Sequence, residues 1–395
     1  MSDGPSRRAP LEGVTVVSLE QAISAPLATR HLADLGARVI KVERPDGGDS
    51  TRHYDTAVNG EFSAHFVWLN HGKESAALNL RDPDDLTILI GLIGRADVLI
   101  SNLAPGALER LGLGIDDLAA AHERLIVVDV SGYGKGGPLD DKRAYDLLVQ
   151  SEGGACSITG EAGAPAKAGI PIADVGTAMY VYSTVLAALY DRERTGRGAV
   201  IEIAMLDVVA EYMGFALNQV IHTGTEPTPV GMGSPMIAPY GAYPTADGQT
   251  AVLGTTSDSE WRRLTTMIDR PDLAADERYS RNSLRVERRA EVDAVVGHWC
   301  AAHTLAQILA AADANGIGNA RYNTVDDLVK HPQLAARDRW REVGTPTGDV
   351  PALRPPAVAR SWPIRSGSVP GLGEHTDAIR AELSSAATQS EISGS

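Results

Sequence analysis

The sequence is poor in cysteine and in positive charge, and both shortages exclude classes of protein. Only two cysteines, Cys156 and Cys300, occur in 395 residues, and they form no CxxC pair. Two cysteines cannot build a disulfide framework for a chain of this length, so we expect a reducing, cytoplasmic location. The formal net charge of −15 argues against nucleic acid and against an anionic membrane surface as partners.

Long hydrophobic runs and metal-binding motifs are also missing. Residues 1–13 are polar and lack the apolar region of a signal peptide. The longest apolar run, residues 175–190, is short for a membrane span and rich in small residues, which predicts a buried core helix. No HExxH pair, Walker loop, GxSxG elbow or close His/Cys spacing occurs. We therefore expect no metal, no tightly bound cofactor and no membrane partner.

Strand-like and helix-like segments alternate through the first half of the chain. A β-branched strand at 13–19, a helix at 27–35 closed by Gly36, and a strand at 38–43 form a βαβ unit. Further strands are predicted at 75–80, 98–100 and 125–130, with helices at 82–93, 107–111 and 115–121 between them. This alternation predicts an α/β fold with a large, Rossmann-like open parallel sheet.

The length of the chain and a change in composition after residue 205 predict two domains. The predicted parts are a large α/β domain (1–205 with 335–395), a Gly/Pro-rich connector (206–248), a small α+β domain (249–320), the start of a return connector (321–334) and a disordered tail (384–395).

Asp174 is the most informative single residue of the sequence. It lies between the apolar segment 170–173 and the helical run that begins at residue 175. A carboxylate at this junction would face the N–H groups at the start of that helix, and they would keep it ionised. An ordinary helix N-cap explains the residue as well as a functional carboxylate does, although the small side chains that follow leave room for a substrate.

Basic residues follow several predicted strands. Arg44 ends the second strand, where a dinucleotide-binding enzyme usually carries an acidic residue, and arginine suits a phosphate better. Lys73 and Arg110 lie at similar boundaries, although each alone is more often a solvated surface charge. The segment 132–137 satisfies GxGxxG, but Pro138 follows and no helix opens there, so we interpret it as a flexible loop over a ligand.

Several sequence blocks resemble family III CoA-transferases, the group that contains formyl-CoA transferase and carnitine CoA-transferase. In chain order the blocks are 33–45 (ADLGARVIKVERP), 102–106 with 108–112, 134–138 with 144–146, 323–324, 331–332 and 373–376. The similarity runs from about residue 11 to residue 383. It implies an acyl-CoA:carboxylate CoA-transferase that takes a CoA thioester and a small carboxylic acid as substrates, built as an interlocked homodimer.

The resemblance also implies roles for individual residues. Asp174 stands where an aspartate of that family attacks the thioester, giving a mixed anhydride and then an aspartyl-CoA thioester. The positions carried over to the CoA site are Ile23, Ser24, Arg44, Leu69 to Lys73, Asn102, Leu103, Arg110, Arg143 and Tyr145, with Gly231, Met232 and Gly233 as a partial counterpart of a glycine-rich lid. Ile23 replaces a glutamine of formyl-CoA transferase, which favours a larger or more apolar acyl group.

Two alternatives remain open at this stage. The same superfamily contains α-methylacyl-CoA racemases, which use a histidine, an aspartate and a glutamate for proton transfer. Tyr145 occupies the position of the histidine, and the glutamate would fall near Ser257, where only Asp258 could act as a displaced carboxylate. A CoA-binding protein without catalytic activity is the second alternative.

Overall fold

A computed structural model describes the backbone of residues 8–393 and the side chains of residues 8–385. The chain separates into two compact units. Unit 1 combines the chain up to Gly153 with Gly169–Met213 and the segment from Ala336 onward, and unit 2 combines Gly154–Ala168 with Gly214–Ala335.

Unit 1 contains an open sheet of six parallel strands. They are β1 (Thr15–Leu19), β2 (Arg38–Glu43), β3 (Lys73–Ala77), β4 (Val98–Ser101), β5 (Ile126–Ser131) and β6 (Ala199–Ala204). Their order is β3-β2-β1-β4-β5-β6, with every neighbouring pair parallel. This is the strand order of the dinucleotide-binding fold, and it confirms the predicted open parallel sheet.

Helices cover both faces of this sheet. They are α1 (Ser24–Asp34), α2 (Ala64–Asn70), α3 (Pro83–Ile93), α4 (Ala107–Arg110), α5 (Ile115–Ala121), α6 (Asp146–Glu152), α7 (Ile172–Thr195), α8 (Met205–Tyr212) and α17 (Thr376–Ser393). Alternate strand residues enter opposite cores: Val16 packs with α1 and α7, whereas Val17 packs with α3, α5 and α17. A two-stranded hairpin, β10 (Trp340–Thr345) with β11 (Gly348–Leu353), completes the unit.

The long helix α7 belongs to one of these cores. By length and composition it is apolar enough to cross a membrane, but half of its most apolar window is buried within the protein. Val181 and Val185 are fully buried in the cluster that also contains Leu32 of α1. The prediction of a core helix in this segment is therefore confirmed.

Unit 2 is built around a small antiparallel sheet. Its strands are β7 (Tyr240–Pro244), β8 (Thr250–Gly254) and β9 (Gly318–Arg321), in the order β9-β8-β7. The helices are α9 (Gly214–Thr223), α10 (Asp258–Met267), α11 (Asp272–Ala275), α12 (Asn282–Glu287), α13 (Arg289–Ala301), α14 (Leu305–Ala314), α15 (Val325–Val329) and α16 (Pro332–Ala336). Trp261, Val296 and Ile308 form the centre of its core.

Two segments differ from the sequence-based expectation. Residues 206–248, predicted as a connector, contain most of α8, all of α9 and β7, because apolar residues at helical spacing precede the Gly/Pro-rich part. The last helix continues to Ser393, past residue 384 where a disordered tail was expected, since neither glycine nor proline interrupts the chain before Gly394. Residues 394–395 lie outside the described part.

Candidate active site

A cleft of about 970 Å³ lies at the carboxyl ends of the first four strands of the unit 1 sheet. Its walls include Gln21 after β1, Arg44 after β2, Arg81 after β3, and Leu103 and Arg110 after β4. The strand order reverses between β1 and β4, and open α/β sheets bind ligands at such a point.

The cleft is basic. Arg44, Arg81 and Arg110 are all exposed, and none of them pairs with a carboxylate among residues 8–385. Arg44, Leu103 and Arg110 are predicted binding residues, and the structure brings them together. Arg81 was missed, although it follows a strand end just as Arg44 does, and that position was the signal for it.

Two residues predicted to line the CoA site are instead inside the protein. Leu69 is fully buried in the core that contains Val39. The Lys73 ammonium group is also buried, and it donates to Glu20 Oε1 at 2.7 Å, Asn70 Oδ1 at 2.9 Å and the Pro26 carbonyl at 2.9 Å. An ammonium group has three donors, so Lys73 has none left for a phosphate.

Ile23 is also a core residue. It precedes α1, is 8% exposed, and packs in the same cluster as Ala25 and Leu27. Ile23 directly precedes Ser24, so the expectation that it favours a larger or more apolar acyl group stays a prediction.

Asp174 is not the N-cap of α7. The helix begins at Ile172, two residues earlier than Asp174, and Pro171 occupies the N-cap position without a side-chain hydrogen bond. The carboxylate that caps this helix belongs to Asp146, whose Oδ1 accepts the backbone N–H of Ala173 at 3.0 Å. This contact joins segments 27 residues apart, which explains why local sequence did not reveal it.

The Asp174 carboxyl group is 8% exposed and faces the start of α1. Burial raises its pKa to about 7, and the charge of Asp146 contributes in the same direction. The hydroxyl and the backbone N–H of Ser24, which lie near the carboxyl group, oppose this shift. The sequence predicted a carboxylate kept ionised by its own helix, and that was wrong because burial outweighs the nearby donors.

Near neutral pH, both protonation states of Asp174 are therefore populated. A poorly solvated carboxylate held beside two hydrogen-bond donors can act as a nucleophile, because little water must be removed before it reacts. The perturbed pKa and the specific partners make Asp174 the strongest candidate for a reactive group in unit 1.

Tyr145 and Arg143 lie on the segment that leads to Asp146. Tyr145 is 62% exposed, and Arg143 is exposed without a carboxylate partner among the described residues. The glycine loop packs against this segment: a Cβ on Gly132 would lie 2.1 Å from the Cβ of Ala144. The structure therefore gives Gly132 a packing role against Ala144, the residue before Tyr145.

Gly176 follows Asp174 in the first turns of α7. A Cβ there would lie 2.5 Å from the hydroxyl oxygen of Tyr212. The absence of a side chain at Gly176 thus makes room for Tyr212, whereas the sequence suggested room for a substrate.

The segment 231–233, predicted as a lid, belongs to unit 2. The backbone N–H of Gly231 donates to the Gly160 carbonyl at 2.7 Å, and Met232 is 51% exposed. Asp258, in the same unit, pairs with Arg285 at 2.8 Å. Among the described residues, no group of three His, Cys, Asp or Glu side chains is arranged to hold a metal ion.

Comparison with known proteins identifies one family across nearly the whole chain. Residues 11–376 match the model of CoA-transferase family III. The chain is 34% identical over 392 residues to succinate–glutarate CoA-transferase of Agrobacterium fabrum, covering 97% of this chain and 98% of the relative. It is 32% identical over 378 residues to succinyl-CoA:glutarate CoA-transferase of Homo sapiens, covering 95% and 86%.

Solved structures agree with the sequence comparison. A CAIB/BAIF family protein from Brucella suis has a TM-score of 0.83 and 34% identity, covering 95% of this chain and all of that one. The protein Rv3272 from Mycobacterium tuberculosis has a TM-score of 0.82 and 30% identity, with coverage of 95% and 100%.

Proposed function

This chain belongs to CoA-transferase family III, and from that premise we propose that it moves CoA between carboxylic acids through covalent intermediates on Asp174. The observation that carries the proposal is the buried Asp174 carboxyl group, held beside the Ser24 donors with a pKa of about 7. A CoA thioester is then a substrate of the enzyme.

In the first half of the reaction, the ionised Asp174 carboxylate attacks the thioester carbonyl carbon of the acyl-CoA. The C–S bond breaks, CoA leaves as a thiolate, and a mixed anhydride forms on the protein. The thiolate then attacks the carbonyl carbon of Asp174. This releases the donor acid as a carboxylate, carrying one oxygen of Asp174, and leaves an aspartyl-CoA thioester.

In the second half, the acceptor carboxylate attacks the aspartyl thioester, and the released thiolate attacks the carbonyl carbon of the acceptor. A new acyl-CoA leaves and the Asp174 carboxylate is restored, so the cycle needs no redox partner and no net proton transfer. Hydrogen bonds from Ser24 would stabilise negative charge on the Asp174 carbonyl oxygen in each addition step. Asp146 would hold the first turn of α7 in place through Ala173.

The pH dependence of the reaction follows from the pKa of Asp174, about 7. Because only the carboxylate form attacks, we expect kcat/KM to rise with pH, about tenfold per pH unit below 7, and to level off above it. Initial rates measured across this range with a pH-stable acyl-CoA test the expectation. A flat profile through pH 7, or one that falls with rising pH, would contradict the role of Asp174.

The three cleft arginines are proposed to bind the phosphates of CoA, since guanidinium groups pair well with phosphate oxygens. Replacing Arg44, Arg81 or Arg110 by alanine should raise the KM for acyl-CoA by about tenfold to a hundredfold and leave kcat nearly unchanged. Arg124→Ala, which removes an exposed arginine elsewhere in unit 1, is the matched control.

A dephospho-CoA thioester, which lacks the 3′-phosphate of CoA, shows which arginine contacts that phosphate. For the arginine that contacts the 3′-phosphate, the substitution should lose its effect with this substrate. Equal losses for all three arginines with both thioesters would argue against a contact with the 3′-phosphate and leave the diphosphate of CoA as their partner.

The relatives named above suggest short dicarboxylic acids as donor and acceptor. We propose this substrate class, and a panel of CoA thioesters and acids followed by mass spectrometry would test it. A preference for succinate and glutarate over monocarboxylic acids of the same length is the expected outcome. Equal rates for both kinds of acid would refute the proposed class while leaving the transfer mechanism intact.

The racemase alternative has less support in the structure. Its expected histidine position is Tyr145, and Asp258 is already paired with Arg285. The names of the relatives also favour transfer over a CoA-binding protein without activity. From the family resemblance and the composition we propose a cytoplasmic homodimer, which sedimentation analysis of the full chain would test.

A further inference from the structure

The turn before α1 has a backbone conformation that residues with a Cβ seldom adopt. Ala22 has a φ of +61°, in the left-handed region. An unfavourable conformation of this kind persists only where the surrounding structure holds it, and it is often found close to functional groups. The turn leads directly into Ser24, whose hydroxyl and N–H lie near the Asp174 carboxyl group and lower its pKa.

Asn102, just after β4, holds one side of this turn. Its Oδ1 accepts the backbone N–H of Gln21 at 2.8 Å, and its Nδ2 donates to the Gln21 carbonyl at 2.8 Å. On the other side, the backbone N–H of Ala22 donates to the buried carboxylate of Asp49 at 3.2 Å. The strained residue is thus fixed from two directions.

These contacts also determine which way the Asn102 amide points. A backbone N–H can only donate and a carbonyl can only accept, so the paired bonds to Gln21 assign the amide oxygen and nitrogen. The amide nitrogen also donates to the Ser24 hydroxyl oxygen at 3.3 Å. Because that oxygen accepts from Asn102, the hydroxyl hydrogen remains available to the nearby carboxylate of Asp174, whose pKa the Ser24 side chain lowers.

We propose that Asn102 is a positioning residue for CoA transfer, which holds the Gln21–Ala22 turn and directs the Ser24 hydroxyl toward the Asp174 carboxylate. The proposal rests on the proposed function, in which Asp174 is the nucleophile. It replaces the expectation that the Asn102 side chain itself binds CoA, because the oxygen and nitrogen of its amide are both engaged within the protein.

The test compares Asn102→Ala, Ser24→Ala and the double variant by the pH dependence of kcat/KM. The acid limb is the low-pH part of the profile, where kcat/KM rises with pH. Loss of one hydrogen bond to the carboxylate should shift this limb to higher pH by about one unit. The rate then falls about tenfold at low pH and little at high pH. Asn102→Ala should produce this shift alone, and should add only a smaller shift when Ser24 is already alanine, because the backbone N–H of residue 24 then remains as the single donor.

Asn79→Ala is the matched control, because Asn79 lies at the same edge of the sheet and makes its hydrogen bonds with Arg81, Asp82 and Asp85. It should leave the acid limb in place whatever it does to KM. Thermal unfolding checks that each variant folds. If Asn102→Ala does not fold, Asn102→Ser serves instead, since serine is too short to reach both Gln21 and Ser24.

Titration of ¹³C-labelled aspartate by NMR gives a second readout that does not depend on activity. If Ser24→Ala shifts the Asp174 titration and Asn102→Ala does not, or if the Asn102 effect is the same with and without the Ser24 hydroxyl, the positioning role is overturned. Failure of the proposed function would look different: the wild-type enzyme would lack the acid limb, and Asp174→Ala would remain active.

Discussion

Replacing Asp174 with alanine should lower CoA transfer by a factor on the order of 10⁴ or more, since the covalent route then has no nucleophile. The isosteric Asp174→Asn variant should be equally inactive, because an amide is a poor nucleophile. Transfer is measured from the new acyl-CoA by mass spectrometry, with hydroxylamine added in parallel to trap the activated aspartyl group. Wild-type enzyme should give a hydroxamate on the peptide that contains Asp174, and neither variant should.

The loss of activity in these variants should not come from unfolding. The pKa of Asp174 is raised to about 7, so its charged form costs folding free energy. This cost is fully present above pH 7. It disappears as the pH falls toward the lower pKa that Asp174 has in the unfolded chain. Asp174→Asn should therefore unfold at the same temperature as wild type at pH 8, or at a higher one. Binding of acyl-CoA, measured by calorimetry, should be retained. Undiminished turnover in Asp174→Ala would end the proposal.

The second large effect is on stability, at Lys73. Replacement by methionine should lower the free energy of unfolding by about 3 kcal/mol or more, because Glu20 would lose its partner at 2.7 Å while remaining fully buried. Lys41 at 3.3 Å and the Thr29 hydroxyl at 2.7 Å would compensate only in part. Urea unfolding at pH 7 measures the change.

Lys135→Met is the control for that experiment. Lys135 also pairs with two carboxylates, Asp129 at 2.9 Å and Glu202 at 3.3 Å, but its side chain is 48% exposed. Its loss should cost less than about 1 kcal/mol. The result also decides the role of Lys73. A folded Lys73→Met enzyme with normal stability and a much higher KM for acyl-CoA would restore the expectation that Lys73 binds CoA.

The edge strand β6, in which exposed residues alternate with partly buried ones, was not predicted from the sequence. Strands β1, β2, β4 and β5 were predictable because most of their residues are buried on both faces. Such strands carry runs of β-branched and apolar residues, and the predicted strand at 38–43 coincides with β2. The start of β3 was less clear, because Lys73 and Glu74 open it and lysine and glutamate are depleted in strands. Lys73 is accommodated by Glu20, which is 53 residues away in sequence.

The site was predictable only in part, for a similar reason. Arg44 directly follows β2, and that position places it at the carboxyl edge of the sheet without further knowledge. Arg110 is the last residue of α4, and the loop and helix after β4 bring it to the same cleft. The environment of Asp174 depends on Asp146 and Ser24, which reach it from distant segments of the chain. No local sequence pattern predicts such contacts, so nothing in the sequence indicated that burial raises the pKa of Asp174. The catalytic role of this residue stays a prediction.

Oxygen transfer tests the central claim most directly. The enzyme is given an unlabelled acyl-CoA and an acceptor acid whose carboxylate carries ¹⁸O. The mass of the peptide that contains Asp174 is then measured by mass spectrometry. If Asp174 forms the mixed anhydride, each turnover leaves one acceptor oxygen on its carboxyl group, so this peptide alone should gain ¹⁸O, while the product acyl-CoA keeps the other. Formation of labelled product with an unlabelled Asp174 peptide would contradict covalent catalysis at this residue.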